Sequence, residues 1–347
     1  MTETPASPSP ATLAEVAHAA GVHPSTASRA LNTHTQSKVS DTTITRVQNA
    51  ARHLGYQPNS LARGLRMRRT FTVGMLVPDL TNPLFPPIVR GIEDRLRTGG
   101  WTLVLANTDN DDDKERLVLG SMLARRVDGL ILATARRDYP LLDEITASGL
   151  STVLVNRTTD DSTVPAVLGD DHAGIGQAVR HLVKLGHTKI AHVGGSQTVS
   201  TGVARYNSFL VWMRQAGLEP DPRLIVFAEW FREDRGAEAF EELFERGADF
   251  TAVVCGNDLI ALGGYDVIRQ RGVRCPEDVS IVGYNDTPFN DKFSPALTSV
   301  RIPHYQIGFR VADVLLQIIE DNDYQLADMR LKPQLMVRGS TAAPRSE

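Results

Sequence analysis

The sequence predicts two architectures in one chain: a small all-α module at the amino terminus, then an α/β body of two similar lobes built on parallel sheets. Three observations predict it. Charge is partitioned: residues 1–69 carry eight Lys and Arg against three carboxylates, a net +5, which leaves −9 on the rest of a chain of net charge −4. Short segments with helix-capping signals fill residues 12–55. From Phe71 onward, apolar strand runs alternate with helical segments.

Bulk composition narrows the classes first. A length of 347 residues suits two or three domains, and a hydrophobic fraction of 41% is ordinary for a globular protein. Nothing approaches the run of about 18 apolar residues that a membrane span needs. The opening MTETPASPSP has neither a basic nor an apolar signal region, so residues 1–10 are expected to be a disordered tail and the chain to stay in the cytoplasm. Cys255 and Cys275 have no Cys or His at metal-ligand spacing and are expected to be small core side chains. No metal and no cofactor are expected. A basic head on an acidic body predicts that the head meets a polyanion and the body does not.

The head resolves into three helices. Thr12 and Glu15 form the capping-box pattern, and Leu13, Val16, Ala17 and Ala20 follow at helical spacing. Gly21 ends that helix, and Pro24 opens a second one at the position where proline is welcome. The second helix runs to about Leu31, with Asn32 beyond it. A third begins at Ser40, with Ile44, Val47, Ala51 and Leu54 on one face, and stops at Gly55. Two short helices joined by a Gly-bearing turn make a helix-turn-helix. The second helix exposes Ser25, Thr26, Ser28 and Arg29 around a small apolar face of Ala27, Ala30 and Leu31. Short polar side chains let the backbone approach a major groove, where Arg takes both acceptors of a guanine.

TLAEVAHAAGVHPSTASRALN, followed by VSDTTITRVQNAARHLGYQPNSLARGLR, closely resembles the headpiece of the LacI/GalR family of bacterial transcription regulators. The resemblance implies that the helix from Pro24 reads the major groove, with Pro24, Ser25 and Arg29 at base-reading positions and Thr26 and Ser28 at phosphate-contacting ones. It adds Thr12, Asn32, Tyr56 and Asn59 to the DNA-binding set. His23 stands where the family usually has a capping serine, and histidine is a poor N-cap.

Pro58 opens a further helix of about two turns, Asn59 to Arg66, too short to persist alone in water, where even about 12–15 residues are marginal. The resemblance makes this a hinge helix that folds when two copies pair over the minor groove. Ala62 is small enough to enter that groove, and Leu65 matches the leucine that wedges between base pairs and kinks the duplex. Unstacking a step costs a few kcal/mol, offset by contacts that bent DNA allows. Gly64 weakens the free helix by about 1 kcal/mol relative to alanine, which favours folding coupled to DNA.

In the body, TVGMLVPD, WTLVLANTD, DGLILATA and STVLVNR are apolar runs spaced by helical segments, and KIAHVGG, RLIVFAE, TAVVCGND and VSIVGYND repeat the arrangement. Continuous apolar strands between helices predict parallel sheets buried on both faces. Their ends deliver Asp79, then Asn107 and Asp109, Asn156 and Arg157, Asn257 and Asp258, and Asn285 and Asp286. Ligands bind beyond the carboxyl ends of parallel strands. Carboxylates and amides match hydroxyl groups, and the aromatic faces of Phe85 and Trp230 match the C–H faces of pyranoses. Asp and Asn also favour turns after strands; their presence at five strand ends together favours a polyhydroxylated small molecule.

TVGMLVPDLTNPLF, VDGLILATA, HLVKLGHTKIAHVGG, CGNDLIALGGYDVIRQRGVRCPEDVSIVGYNDTP and SPALTSVRIP look like core motifs of the same family, whose core resembles sugar-binding periplasmic proteins. The resemblance implies an effector set of Asp79, Asn82, Phe85, Asn156, Arg205, Trp230, Asn257 and Asn285, with Arg205 gripping effector oxygens. Asn285 replaces a frequent aspartate, and Asn156 stands where some relatives use one; two amides argue against a bound cation. His187 follows the helix-ending Gly186 and is read as structural, and His181, His187 and His192 lack metal spacing.

The expected organisation is a tail (1–10), a helix-turn-helix domain (11–57), a hinge and linker (58–69), a core (70–342) and a tail (343–347). The first lobe is expected at about 70–167 plus 303–331, and the second at about 168–300 plus 332–342. No P-loop, G-x-S-x-G, HExxH or strand-linked G-x-G-x-x-G marks an enzyme. The expected function is a homodimeric repressor of carbohydrate-use genes. A small carbohydrate or sugar phosphate would release it from a palindromic double-stranded operator. The alternatives are an effector- or corepressor-activated regulator of the same fold, a cytosolic sugar-binding protein and an α/β enzyme.

Overall fold

The computed structural model describes residues 11–31, 36–56, 69–161, 164–321 and 327–345. The chain divides into two compact units, Met1–Thr70 and Phe71–Glu347. Asn32 and the 57–68 segment, with Asn59, Ala62 and Leu65, lie outside the described residues.

In the first unit α1 is Leu13–Ala19, α2 Pro24–Leu31 and α3 Asp41–His53. The capping box forms at α1: the Glu15 backbone N–H donates to Thr12 Oγ1 at 3.3 Å, and the Thr12 backbone N–H donates to the Glu15 carboxylate at 2.6 Å. Gly21 takes φ +59°, the left-handed backbone that turns the chain between α1 and α2. Val16, Ala17, Ala20, Ala27, Ala30, Val47 and Ala51 form the core. Alanine on both α1 and α2 lets a module this small close without large side chains.

The second unit holds two six-stranded sheets. Thr72–Val77 (β1), Thr102–Asn107 (β2), Gly129–Leu132 (β3), Ser151–Val155 (β4), Ala166–Gly169 (β5) and Met329–Leu331 (β11) form the first, in the order β11-β5-β4-β3-β1-β2, all parallel. Ile190–Gly194 (β6), Ile225–Phe227 (β7), Ala252–Cys255 (β8), Ser280–Asn285 (β9), Thr298–Arg301 (β10) and Gln334–Met336 (β12) form the second, in the order β12-β10-β9-β8-β6-β7. Only β12 runs antiparallel to its neighbour, β10. The chain passes between the sheets three times: after β5, after β10 and between β11 and β12.

Phe85–Thr98 (α4), Asp112–Ala124 (α5) and Pro140–Ala147 (α6) belong with the first sheet. Asp171–Lys184 (α7), Ser200–Gln215 (α8), Glu233–Glu245 (α9) and Asp258–Gln270 (α10) belong with the second. His304–Glu320 (α11) crosses back onto the first sheet beside α4. That helix pair closes at glycine: a Cβ on Gly308 would sit 1.9 Å from the Ile88 carbonyl oxygen, and one on Gly91 would sit 2.1 Å from that of Tyr305. The interiors follow the expected apolar runs, with Val73, Met75, Ile131 and Val153 in one lobe and Val193, Val253, Cys255 and Ile281 in the other. Strand β2 departs from them, being partly exposed at the sheet edge.

Candidate effector cleft and DNA-reading helix

On α2, Ala27 and Ala30 are buried, and Pro24, Ser25 and Arg29 are exposed; Thr26 and Ser28 are half-buried at its flanks. Ser25 and Arg29 are one turn apart and share a face. His23 corrects one expectation. The Ser25 backbone N–H donates to His23 Nδ1 at 3.3 Å, and the Ser25 hydroxyl lies 2.8 Å from the same nitrogen. The ring nitrogen thus does the work of the missing serine oxygen. Tyr56 packs its ring against the three-helix core, so it has a structural role in this module.

In the second unit the carboxyl ends of both sheets converge on one small interlobe cavity. Asn82, Leu84, Phe85, Asn156, Arg157, Thr201, Arg205, Phe231, Asn257 and Asn285 line it. Six of the eight residues expected at an effector site are among them. Asp79 lies outside, in a wider groove of about 800 Å³ that runs between the lobes past Asp109, Arg232 and Asp234. Trp230 is half-buried in the bend after β7 and does not line the cavity; the next residue, Phe231, does. Leu84, Thr201 and Phe231 were not expected at an effector site, and Arg157 was expected only as a strand-end residue, outside the effector set. Thr201 stands one helical turn before Arg205, and Arg157 directly follows Asn156, so spacing carried a signal for both.

Arg205, on α8, is held before any ligand arrives. Its Nε donates to Asp171 Oδ1 at 2.9 Å and its Nη1 to the Gly256 carbonyl at 2.7 Å. The guanidinium lies 3.9 Å from the Tyr284 ring centroid and 5.9 Å from that of Phe231. Two of its five donors are occupied, which leaves three. Arg157 is buried, and burial together with the Arg136 and Arg205 charges pushes its guanidinium down to about 10. Its Nε has no hydrogen-bond partner, and neither has Asn285 Oδ1. Asn156 (φ +65°) and Asn285 (φ +103°) both take left-handed backbone, uncommon without glycine and characteristic of functional sites.

The turn-forming tendency of Asp and Asn is also realised. Asp79 Oδ1 accepts from the Thr81 N–H and hydroxyl, Asn82 Oδ1 from the Leu84 N–H, and Asn257 Oδ1 caps α10 through the Ile260 N–H at 2.8 Å. Asn107 and Asp109 tie the loop after β2 through Leu80 and Lys114. Asp258 is buried behind the cavity, accepting from Ser299 Oγ at 2.6 Å and from the Thr287 N–H at 2.8 Å; burial pushes its carboxyl up to about 6. Asp286 pairs with Arg301 and Arg338. Every strand-end carboxylate thus serves the protein itself, and amides and guanidiniums face the cavity. His187 is a structural tie, between Thr251 Oγ1 and the Ala342 carbonyl, each at 2.8 Å. Among the described residues no cluster of His, Cys, Asp and Glu could hold a metal ion, and no helix is long and apolar enough to cross a membrane.

A helix-turn-helix module ahead of a two-lobed α/β body with a polar interlobe cavity defines a DNA-binding transcription regulator with a binding-protein core. The chain belongs to the LacI family of bacterial regulatory proteins. Residues 12–59 match the model for bacterial regulatory proteins of the lacI family, and residues 70–337 match that for periplasmic binding proteins and the sugar-binding domain of the LacI family. It is 32% identical to the HTH-type transcriptional regulator RegA of Clostridium saccharobutylicum, over 94% of this chain and 98% of that protein. Among solved structures it is similar to the complex of the transcriptional regulator CelR with cellobiose, at TM-score 0.74 and 32% identity, covering 95% of this chain and 99% of that one. The lac repressor dimer bound to operator and the anti-inducer ONPF matches at TM-score 0.80 and 25% identity, over 96% of this chain and 100% of that one.

Proposed function

We propose that the protein is a homodimeric, cytoplasmic repressor of carbohydrate-use genes. A small carbohydrate-like effector, bound between the core lobes, releases it from a palindromic operator. The observation that carries this reading is the convergence of Asn82, Phe85, Asn156, Arg205, Asn257 and Asn285 on one cavity, in a chain whose α2 exposes Ser25 and Arg29. The relatives support it: the solved CelR complex holds cellobiose, and the solved lac repressor is a dimer on operator. Two heads related by a two-fold axis suit a palindrome.

The cavity volume supports coupling through the lobes. It is about 20 Å³, room for about one water, whereas ligand sites commonly measure about 300–1,000 Å³. In this reading, a metabolite that contacts residues of both lobes makes room by displacing them. Arg205, clamped to Asp171 and Gly256, moves with the second lobe, and Asn82 and Phe85 move with the first. The lobe displacement shifts the first lobes of a dimer and separates the paired hinge segments. Affinity for the operator falls by the coupling free energy, typically about 1–3 kcal/mol, and DNA weakens the effector equally.

The test is a gel shift of the full chain on its operator with sugars and sugar phosphates added. Release by at least one of them supports the reading; binding that ignores all of them removes the sensor role.

A further inference from the structure

The charge of the cavity lining is one-sided. None of its ten lining residues is a carboxylate, and two are arginines. Arg205 has one carboxylate partner, Asp171. Arg157 is buried at the floor of the first lobe with no ion pair among the described residues, and its Nε is unpartnered. The carboxylate that acts on Arg157, Glu115, is itself buried and accepts from the Tyr139 hydroxyl at 2.6 Å; the Arg136 and Arg205 cations outweigh it. Removing one partner of a buried pair leaves a costly unmatched charge. Arg157 stands in that condition in the free protein, so a ligand that neutralises it gains what the fold lacks. Asn82, Asn156, Asn257 and Asn285, which line the cavity with these arginines, are all neutral amides.

We infer that the effector is an anion: a polyhydroxylated small molecule carrying a carboxylate or a phosphate, seated on Arg157 and Arg205, with its hydroxyls on Asn82, Asn156, Asn257 and Asn285. The inference rests on the effector reading above and narrows its ligand class. Guanidinium presents paired N–H groups that match either anion, so both sources share this chemistry. Phe85 and Phe231 supply the apolar faces for the carbon skeleton.

The experiment is titration calorimetry of the full chain with matched probes: D-gluconate against D-glucose, D-galacturonate against D-galactose, glucose 6-phosphate and inorganic phosphate. The expected result is that at least one anion binds and that its neutral partner binds at least about 10-fold more weakly, the factor set by one charged hydrogen bond. The carboxylate and phosphate arms tell the two sources apart. Arg157→Gln is expected to weaken the bound anion by about 10- to 100-fold. Because Arg157 is buried and its loss can unfold the lobe, Asn156→Asp is the second variant: isosteric, it adds a carboxylate to the cavity that Arg157 lines and is expected to weaken the anion about 10-fold or more. A neutral sugar that binds as tightly as its acid, an Asn156→Asp protein that binds the anion unchanged, or a set in which no anion binds overturns the inference. Gel shifts with the same probes separate the two claims. A neutral sugar that frees the operator keeps the sensor and removes the anion; an operator complex indifferent to every probe that binds removes the sensor.

Discussion

Arg205 Nε donates to Asp171 Oδ1 at 2.9 Å, joining α8 to the first residue of α7 behind the interlobe cavity. Both side chains are close to fully buried, so the pair is neither screened nor free to rotate. Replacing Arg205 by alanine strands a buried Asp171. The expected cost is about 3–5 kcal/mol of stability, read by urea unfolding, together with loss of effector response. Arg205→Lys keeps the charge but not the fork, and is expected to fold, bind operator and respond weakly. An Arg205→Lys protein with a normal release curve would show that the cavity is not the sensor.

Arg29 is exposed on α2, one turn after Ser25. Arg29→Ala is expected to cost about 1–3 kcal/mol in operator affinity and to relax the preference at one base pair. Binding to a library of operator variants checks this. Equal weakening on every variant would make Arg29 a phosphate contact.

Leu65 lies outside the described residues, and its role rests on the family resemblance. Leu65→Ala is expected to reduce the bend in the operator and to weaken specific binding, with ligand affinity in the isolated protein unchanged. Circular-permutation gel shifts measure the bend; an unaltered angle rules out the wedge.

Three groups withdrawn from water set opposing pH dependences. His192 is fully buried, its ring 2.9 Å from the Val254 carbonyl, and burial pushes it down to about 4. Between its ordinary value of about 6.5 and 4 the unfolded chain takes a proton that the folded chain refuses, so stability falls as pH drops, by about 3 kcal/mol in all. Asp258, pushed up to about 6, acts oppositely: the folded state takes the extra proton between about 6 and 4, so acid stabilises it by a similar amount. His304, also pushed down to about 4, tips the sum toward loss in acid. Asp258→Asn removes the opposing contribution, so its stability is expected to fall more steeply than wild type from pH 6.5 to 4. Equal slopes in urea unfolding would contradict this.

The head was legible because its signals are local. Thr12 with Glu15, Gly21 and Pro24 each act within one turn, and all three work as read. The eight apolar runs became strands, but β5, β10, β11 and β12 did not announce themselves: they are three or four residues long and flank the crossings between lobes. At the site, residues on strand ends were found by pattern, whereas Thr201 and Phe231 arrive from a helix and a bend and meet the cavity only in three dimensions. Asp79 followed the turn-forming habit of its residue type, and Trp230 lost its place to its neighbour. His23 departed from expectation because ring geometry let Nδ1 reach the Ser25 N–H, which average capping preferences do not describe.

The central claim is that one end of this chain grips a specific DNA sequence and a cleft in the other adjusts that grip. The direct measurement is fluorescence anisotropy of the full protein on genomic fragments against random competitor DNA, at fixed salt, with and without the cleft ligand. The expected result is a fragment preferred by about 10³-fold or more, with that affinity lowered about 5- to 150-fold by the ligand. Equal affinity for all fragments, with the ligand present and absent, would contradict it.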